Sequence, residues 1–168
     1  MTNYLVFIQF IMAFLVGTAS LYLMYRFTSV VLKKQFGIQE LNLSLSIFQI
    51  GIILSTAFLL AGVIAPASNA LRFLTQEKID LISIGTSIGY ILGFVLVGLF
   101  SSALVVWGGV TIFFQLTEVN EVEEIKNNNL PPSIVSSALI IGLSIIMSDY
   151  VGQVCEALIP YPEINFIP

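Results

Sequence analysis

Asp149, Gln153 and Glu156 are spaced i, i+4 and i+7, so a helix carrying them presents all three on one face. An acid buried in a bilayer costs several kcal/mol, and it marks a proton or ion path or a buried pair. Depth decides between that chemistry and simple solvation. From Pro131 to Asp149 is 18 steps, about 27 Å at the helical rise, against a hydrocarbon layer about 30 Å thick. A helix starting at the Pro131-Pro132 step therefore brings Asp149 to the far boundary and Glu156 beyond it. Two readings stay open: solvated or interfacial acids, or Asp149 buried between helices with Arg72 as counter-ion.

Asn42 and Asn129 each precede a leucine and a long apolar run. An Asn there can cap a helix, its side-chain oxygen accepting an orphan backbone N–H. The alternative is that paired Asn side chains line a cytoplasmic entrance or meet a partner. Other chemistry is scarce. There is no histidine, which removes the commonest metal ligand and the ordinary proton shuttle. A single cysteine, Cys155, excludes an internal disulfide and any CxxC metal site. No Walker loop, dinucleotide fingerprint or nucleophile–His–acid set is present. The expectation is a protein that is not an enzyme, with no cofactor and no metal.

The elements that must position these residues follow from composition. Of 168 residues 57% are hydrophobic and 10% charged, with mean hydropathy +0.99. A soluble domain carries about 25% charged residues, so much of this surface must face lipid. The net charge of −4 gives no basic patch for nucleic acid. Apolar runs predict four transmembrane helices, at about 4–25, 43–70, 83–108 and 131–157, followed by an extended tail over 159–168. Pro66 predicts a kink or early stop in the second. Gly108-Gly109 predicts a bend where the 36-residue run Leu81 to Leu116 leaves the bilayer. The first run lacks Lys or Arg before it and has Arg26 after it, the polarity of an uncleaved helix rather than a signal peptide.

Small residues predict where helices touch. Gly85, Gly89, Gly93 and Gly98 line the third span, the first three making two overlapping GxxxG steps, and Ser133, Ser137, Ser144 and Ser148 form a stripe on the last span. Such spacing marks close packing, in this chain or in an oligomer.

Offsetting the chain by 87 residues aligns Glu40–Leu71 with Asn127–Leu158, and seven of the 32 pairs are identical. Both halves read apolar span, charged connector, Asn-Leu, second span. This predicts an all-α fold of two parallel repeats of a helix pair, 1–78 and 79–158, entering the membrane in the same sense. Arg26, Lys33, Lys34 and Lys126 on one side outnumber Arg72 and Lys78 on the other. The positive-inside rule then puts both connectors in the cytoplasm and both termini outside. Glu118, Glu121, Glu123 and Glu124 form an acidic run at that surface, which is solvated or a docking strip for a basic soluble partner.

The sequence Glu124-Ile125-Lys126-Asn127-Asn128-Asn129 before the fourth span, with Asn42 and Gly51 as counterpart in the first half, resembles domain-of-unknown-function family 350, the YjfL-like bacterial inner-membrane proteins, in its two-copy form. Leu-Pro-Pro after Asn129, and the single asparagine at the first-half step, depart from the family pattern. The resemblance implies a multi-pass protein of the bacterial inner (plasma) membrane, with termini in the periplasm or outside, and an association with envelope stress. It supplies no settled activity. Two functions follow as expectations: an oligomeric scaffold or sensor binding soluble stress-response partners at the 26–42 and 117–130 connectors, or a small channel with a pathway between repeats or protomers. Gln49 and Gln115, the largest polar side chains near the spans, both fall near the cytoplasmic ends. That leaves the mid-membrane region dry and favours the scaffold.

Overall fold

The computed structural model describes residues 2–37, 42–74, 81–117 and 120–159. They form five helices: α1 (Thr2–Phe36), α2 (Leu43–Leu74), α3 (Leu81–Leu116), α4 (Glu121–Lys126) and α5 (Leu130–Ala157). Four contain stretches long and apolar enough to cross a membrane: Phe10–Lys34, Leu43–Phe73, Gly85–Leu116 and Leu130–Ala157. The chain is an all-α, multi-pass membrane protein. Only helices satisfy every backbone group within one apolar segment, which is why these runs fold as they do. Large side chains such as Phe14, Leu96, Phe100 and Ile146 remain exposed on the outside of the bundle. That pattern suits lipid as the surrounding solvent.

The helices outrun the lengths expected from hydropathy. Arg26, Lys33 and Lys34 stand on the last turns of α1 and not in a loop. The helix ends where Gly37 turns to φ 64°, the left-handed conformation that glycine accepts without a Cβ clash. Pro66 lies inside α2, which continues past it to Leu74. Gly108-Gly109 leaves α3 unbroken, and Gly109 lies close to α5, where an added Cβ would stand 3.1 Å from Leu143 Cδ2. At Gly109 this packing against α5 outweighs the local preference to break. The expected tail falls outside the described residues except Ile159, which is buried. Glu40, Lys78 and Glu118 of the connectors also fall outside them.

α2 is the centre of the bundle and contacts each of the other helices. It lies parallel to α5: Ser44 meets Asn129, Ile47 meets Ser137, Phe58 meets Ser148 and Asn69 meets Glu156, both chains advancing together. α3 runs against α2, bringing Gly98 onto Leu60 and Val63. Two apolar cores result. One gathers Met24, Leu32, Phe48, Val106, Ile125 and Ile140 from all five helices at the α4 end, and the other gathers Leu59, Val63, Phe94, Val151 and Cys155 from α2, α3 and α5 at the opposite end. α1 joins only the first. Its later turns bury Ser20, Met24, Thr28 and Leu32, whereas Phe7, Phe10, Phe14 and Leu15 are exposed.

Candidate functional site at the two ends of the central seam

At the α4 end, Asn42 and Ser44 at the start of α2 are tied to residues 125–129. Asn42 caps α2, its Oδ1 accepting from Leu45 N at 2.7 Å. The same side chain donates through Nδ2 to the carbonyls of Ile125 and Lys126 at 2.9 and 3.1 Å. Capping and a partner contact are thus one arrangement, because an Asn side chain accepts and donates at once. Asn128, in the left-handed region at φ 62°, turns its Oδ1 to accept from Ser44 N at 3.0 Å. Ser44 Oγ donates to Asn129 O at 2.7 Å.

Asn129 does not repeat the role of Asn42. It stands at the N-cap of α5 but makes no side-chain cap, and its Nδ2 donates to Glu124 instead. Pro131 and Pro132 explain the difference: they fill the first-turn positions whose N–H groups a cap would satisfy, and a proline has none. Asn120 caps α4, accepting from Glu123 N at 3.3 Å. Glu121 in the first turn of α4 is buried, while Glu123 and Lys126 are exposed.

From this lock the α2–α5 seam runs the length of both helices on small residues. A Cβ added at Gly51 would stand 2.6 Å from Ser137 Cβ, and one at Gly62 would run into the backbone carbonyl of Ser148. At Gly152 it would lie 2.8 Å from Gly62 O. Close backbone approach is what drives helix association where lipid tails remove any hydrophobic preference. Ser137 Oγ donates to Ile47 O at 3.1 Å and Ser148 Oγ to Phe58 O at 2.8 Å. Between these two rungs, Ser55 and Ser144 are fully buried, and among the described residues their hydroxyls have no hydrogen-bond partner. Ser55 shares the face of Gly51 (i+4) and Gly62 (i−7), and Ser144 that of Ser137 (i+7) and Ser148 (i−4).

The far end of the seam closes on Asn69, whose Nδ2 donates to Glu156 Oε1 and Oε2 at 3.2 and 3.3 Å. Glu156 is therefore half-buried and held by α2, not simply solvated. Asp149 and Gln153 are exposed on α5, so within the chain Asp149 is not a group buried between helices. The three polar residues of one helix face do not converge on a single centre. Gln49 is buried, donating to Ser29 Oγ at 2.6 Å and bracing α2 against α1.

The serine stripe on the last span marks the packed seam, as its spacing predicts. The glycine steps behave differently. Gly85 and Gly89 are exposed, Gly93 is half-buried, and a Cβ at any of the three would meet nothing within 4 Å. The glycines that pack within the chain are Gly51, Gly62, Gly98, Gly109 and Gly152. Sequence reasoning missed Gly62 and Gly152 because neither sits in a GxxxG repeat. Their signal was available only once α2 and α5 were laid side by side at the 87-residue offset, where both lie on the contact face.

Among the described residues no group of three His, Cys, Asp or Glu side chains is placed to hold a metal ion. What the arrangement can do is hold two helix starts, a short acidic helix and a small-residue seam in fixed register. No curated protein and no solved structure matches the chain. The family described as Domain of Unknown Function (DUF350) matches residues 1–151. With four spanning-length helices and a match over nearly its whole length, the chain belongs to the DUF350 family.

Proposed function

We propose that this protein is a non-enzymatic membrane scaffold or sensor of the bacterial inner membrane, with both termini outside and its α4 end in the cytoplasm. There it binds a soluble partner of the stress-response kind that the family resemblance implies. The observation that carries the reading is the cross-bonding of the two connectors. Asn42 and Ser44 grip residues 125–129 through four hydrogen bonds, so the acidic α4 is a rigid platform rather than a tether. A platform held in register with the spanning helices can pass a membrane event to a bound protein, or the reverse.

The cross-seam partners also support reading the halves as two copies of one helix pair. Hydrogen-bonded pairs across the helices are separated by 87 to 90 residues, close to the offset that aligns the two sequences. The open glycine face of α3 supports self-association, since small residues that meet nothing in the chain leave room for the backbone of another helix. The second reading, a small channel, draws on the unpartnered Ser55 and Ser144 hydroxyls in the middle of the seam. The direct contact of Gly51 with Ser137 and of Gly62 with Gly152 leaves no water-sized path there and favours the scaffold.

The deciding experiment places photocrosslinking residues at the exposed positions Glu123 and Lys126 in intact membranes and identifies what is attached. A specific soluble protein is the expected product. Ion flux into liposomes of purified protein that responds to seam substitutions, with no crosslinked protein, would overturn the scaffold reading in favour of the channel.

A further inference from the structure

Beside the connector lock lies a groove of about 340 Å³ between the end of α3, α4 and the first turns of α5. Its walls are Phe113, Pro131, Pro132 and Val135, and its polar edge is Glu121, Glu124 and Asn129. The two acids are in different states. Glu124 is already held by Asn129 Nδ2. Glu121 is 5% exposed as a residue; among the described residues no hydrogen bond or ion pair reaches its carboxylate, which is not sealed from water.

A carboxylate at the mouth of an apolar groove with no cationic partner keeps only the water that the groove admits, so a cation placed there gains a charge-assisted contact in a partly dry site. The carboxylate cannot swing away. α4 is anchored by Ile125, which is fully buried, by the Asn120 cap and by the Asn42 bonds to its last carbonyls. A rigid carboxylate at the edge of an apolar trough has the complement of one cationic head on an aliphatic stem. The stem would lie on Val135 and the prolines, and the head would meet Glu121 with the Phe113 ring beside it. A divalent cation fits poorly, since it takes six or more oxygen ligands and no three-residue ligand set is present among the described residues. A bare acyl chain would leave the carboxylate unpaired.

We propose that the Glu121 groove is the receptor for a single Lys or Arg side chain of a basic soluble partner. Charge complementarity points to that occupant: the chain carries net −4, and Glu121, Glu123 and Glu124 concentrate negative charge at this one surface. The inference rests on the docking reading above for the natural partner, while the groove itself stands on Glu121.

The test replaces Phe113 with 4-fluorophenylalanine in the full chain, held in phosphatidylcholine nanodiscs, and follows its fluorine resonance. Nα-acetyl-lysine amide and n-butylammonium should shift it saturably and in a salt-sensitive way, while n-butanol should not. Glu121→Gln should weaken the lysine response at least tenfold. Val135→Trp, which fills the groove from a half-exposed position, should abolish it and so keeps the test valid if Glu121→Gln misfolds. An unchanged response in Glu121→Gln, or an equal response to butanol, would overturn the proposal. So would loss of the lysine response on adding phosphatidylethanolamine, which would give the groove to a lipid headgroup. Soluble-protein crosslinks at Glu123 that survive Glu121→Gln would overturn the groove as anchor and leave docking intact. Lysine binding with no crosslinked protein would keep the groove and remove the docking role.

Discussion

Asn69 and Glu156, 87 residues apart in the chain, close the far end of the α2–α5 seam, with Asn69 Nδ2 standing 3.2 Å from one carboxylate oxygen and 3.3 Å from the other. The two residues occupy equivalent places in the proposed halves, so the latch joins like to unlike at a single level. It is the counterpart of the Asn42 lock at the opposite end, and between them the seam is held at both termini.

The latch should be measurable. Asn69→Ala removes a charge-assisted hydrogen bond at a partly exposed site, where about 1 kcal/mol is the usual scale. Asn69→Asp keeps the size of the side chain but sets a second carboxylate against Glu156, and like charges at this distance repel. Thermal unfolding in detergent should rank wild type above Asn69→Ala and Asn69→Ala above Asn69→Asp. Equal midpoints for the two variants would mean that the contact carries no load.

Substituted glycines should divide by the helix that faces them. Gly62→Ala drives a methyl group into the Ser148 carbonyl, and overpacking of this kind costs about 1–3 kcal/mol. Gly89→Ala meets nothing and exchanges a poor helix former for the best one, a gain of up to about 1 kcal/mol. Unfolding midpoints should fall for the first and hold or rise for the second. Gly89→Leu should leave the midpoint in place while shifting light-scattering mass toward the monomer if α3 is the contact between copies. An unchanged oligomer would assign that contact elsewhere.

The four spans and the all-helical class were legible because apolar runs of this length have few other ways to satisfy their backbone. Helix ends were not, since hydropathy reports where lipid stops and α1 continues past that point to Gly37. At the site, Asn42 was found by its position before a helix, and Glu156 by its spacing on one face. What neither could reveal is the partner: Asn42 bonds residues 83 and 84 positions away, and Glu156 depends on Asn69. The GxxxG rule pointed to α3 because it scores one helix at a time, whereas the tightest seam is made by glycines and serines that alternate across two. Glu121 looked like one acid in an exposed run, and only the path of α4 buries it.

Cys155, the sole thiol, sits near the end of α5 but is fully buried among Leu59, Val63, Phe94 and Val151. It therefore reports the integrity of the far core and not the side of the membrane. A membrane-impermeant maleimide should label Gln153→Cys, introduced at an exposed position in a Cys155→Ala background, rapidly from the outer face. Native Cys155 should react far more slowly, and Gly62→Ala should speed it by loosening the seam. Labelling of Gln153→Cys only after the cytoplasmic side is opened would reverse the proposed orientation.

Ser55 and Ser144 give the opposite expectation to most buried substitutions. Their hydroxyls are out of reach of water and have no partner among the described residues, and a buried polar group without a partner costs about 1–3 kcal/mol. Replacing either with alanine removes that cost together with one small atom, so the cavity term is slight. Ser55→Ala and Ser144→Ala should each hold or raise the unfolding midpoint, and the double variant should raise it further. Ser137→Ala, which breaks a cross-helix bond to Ile47 O, should lower it. If the two orphan hydroxyls instead serve a path between the helices, the alanine variants would be stable yet alter flux in liposomes. Stabilisation without any change in flux is the outcome that a closed structural seam requires.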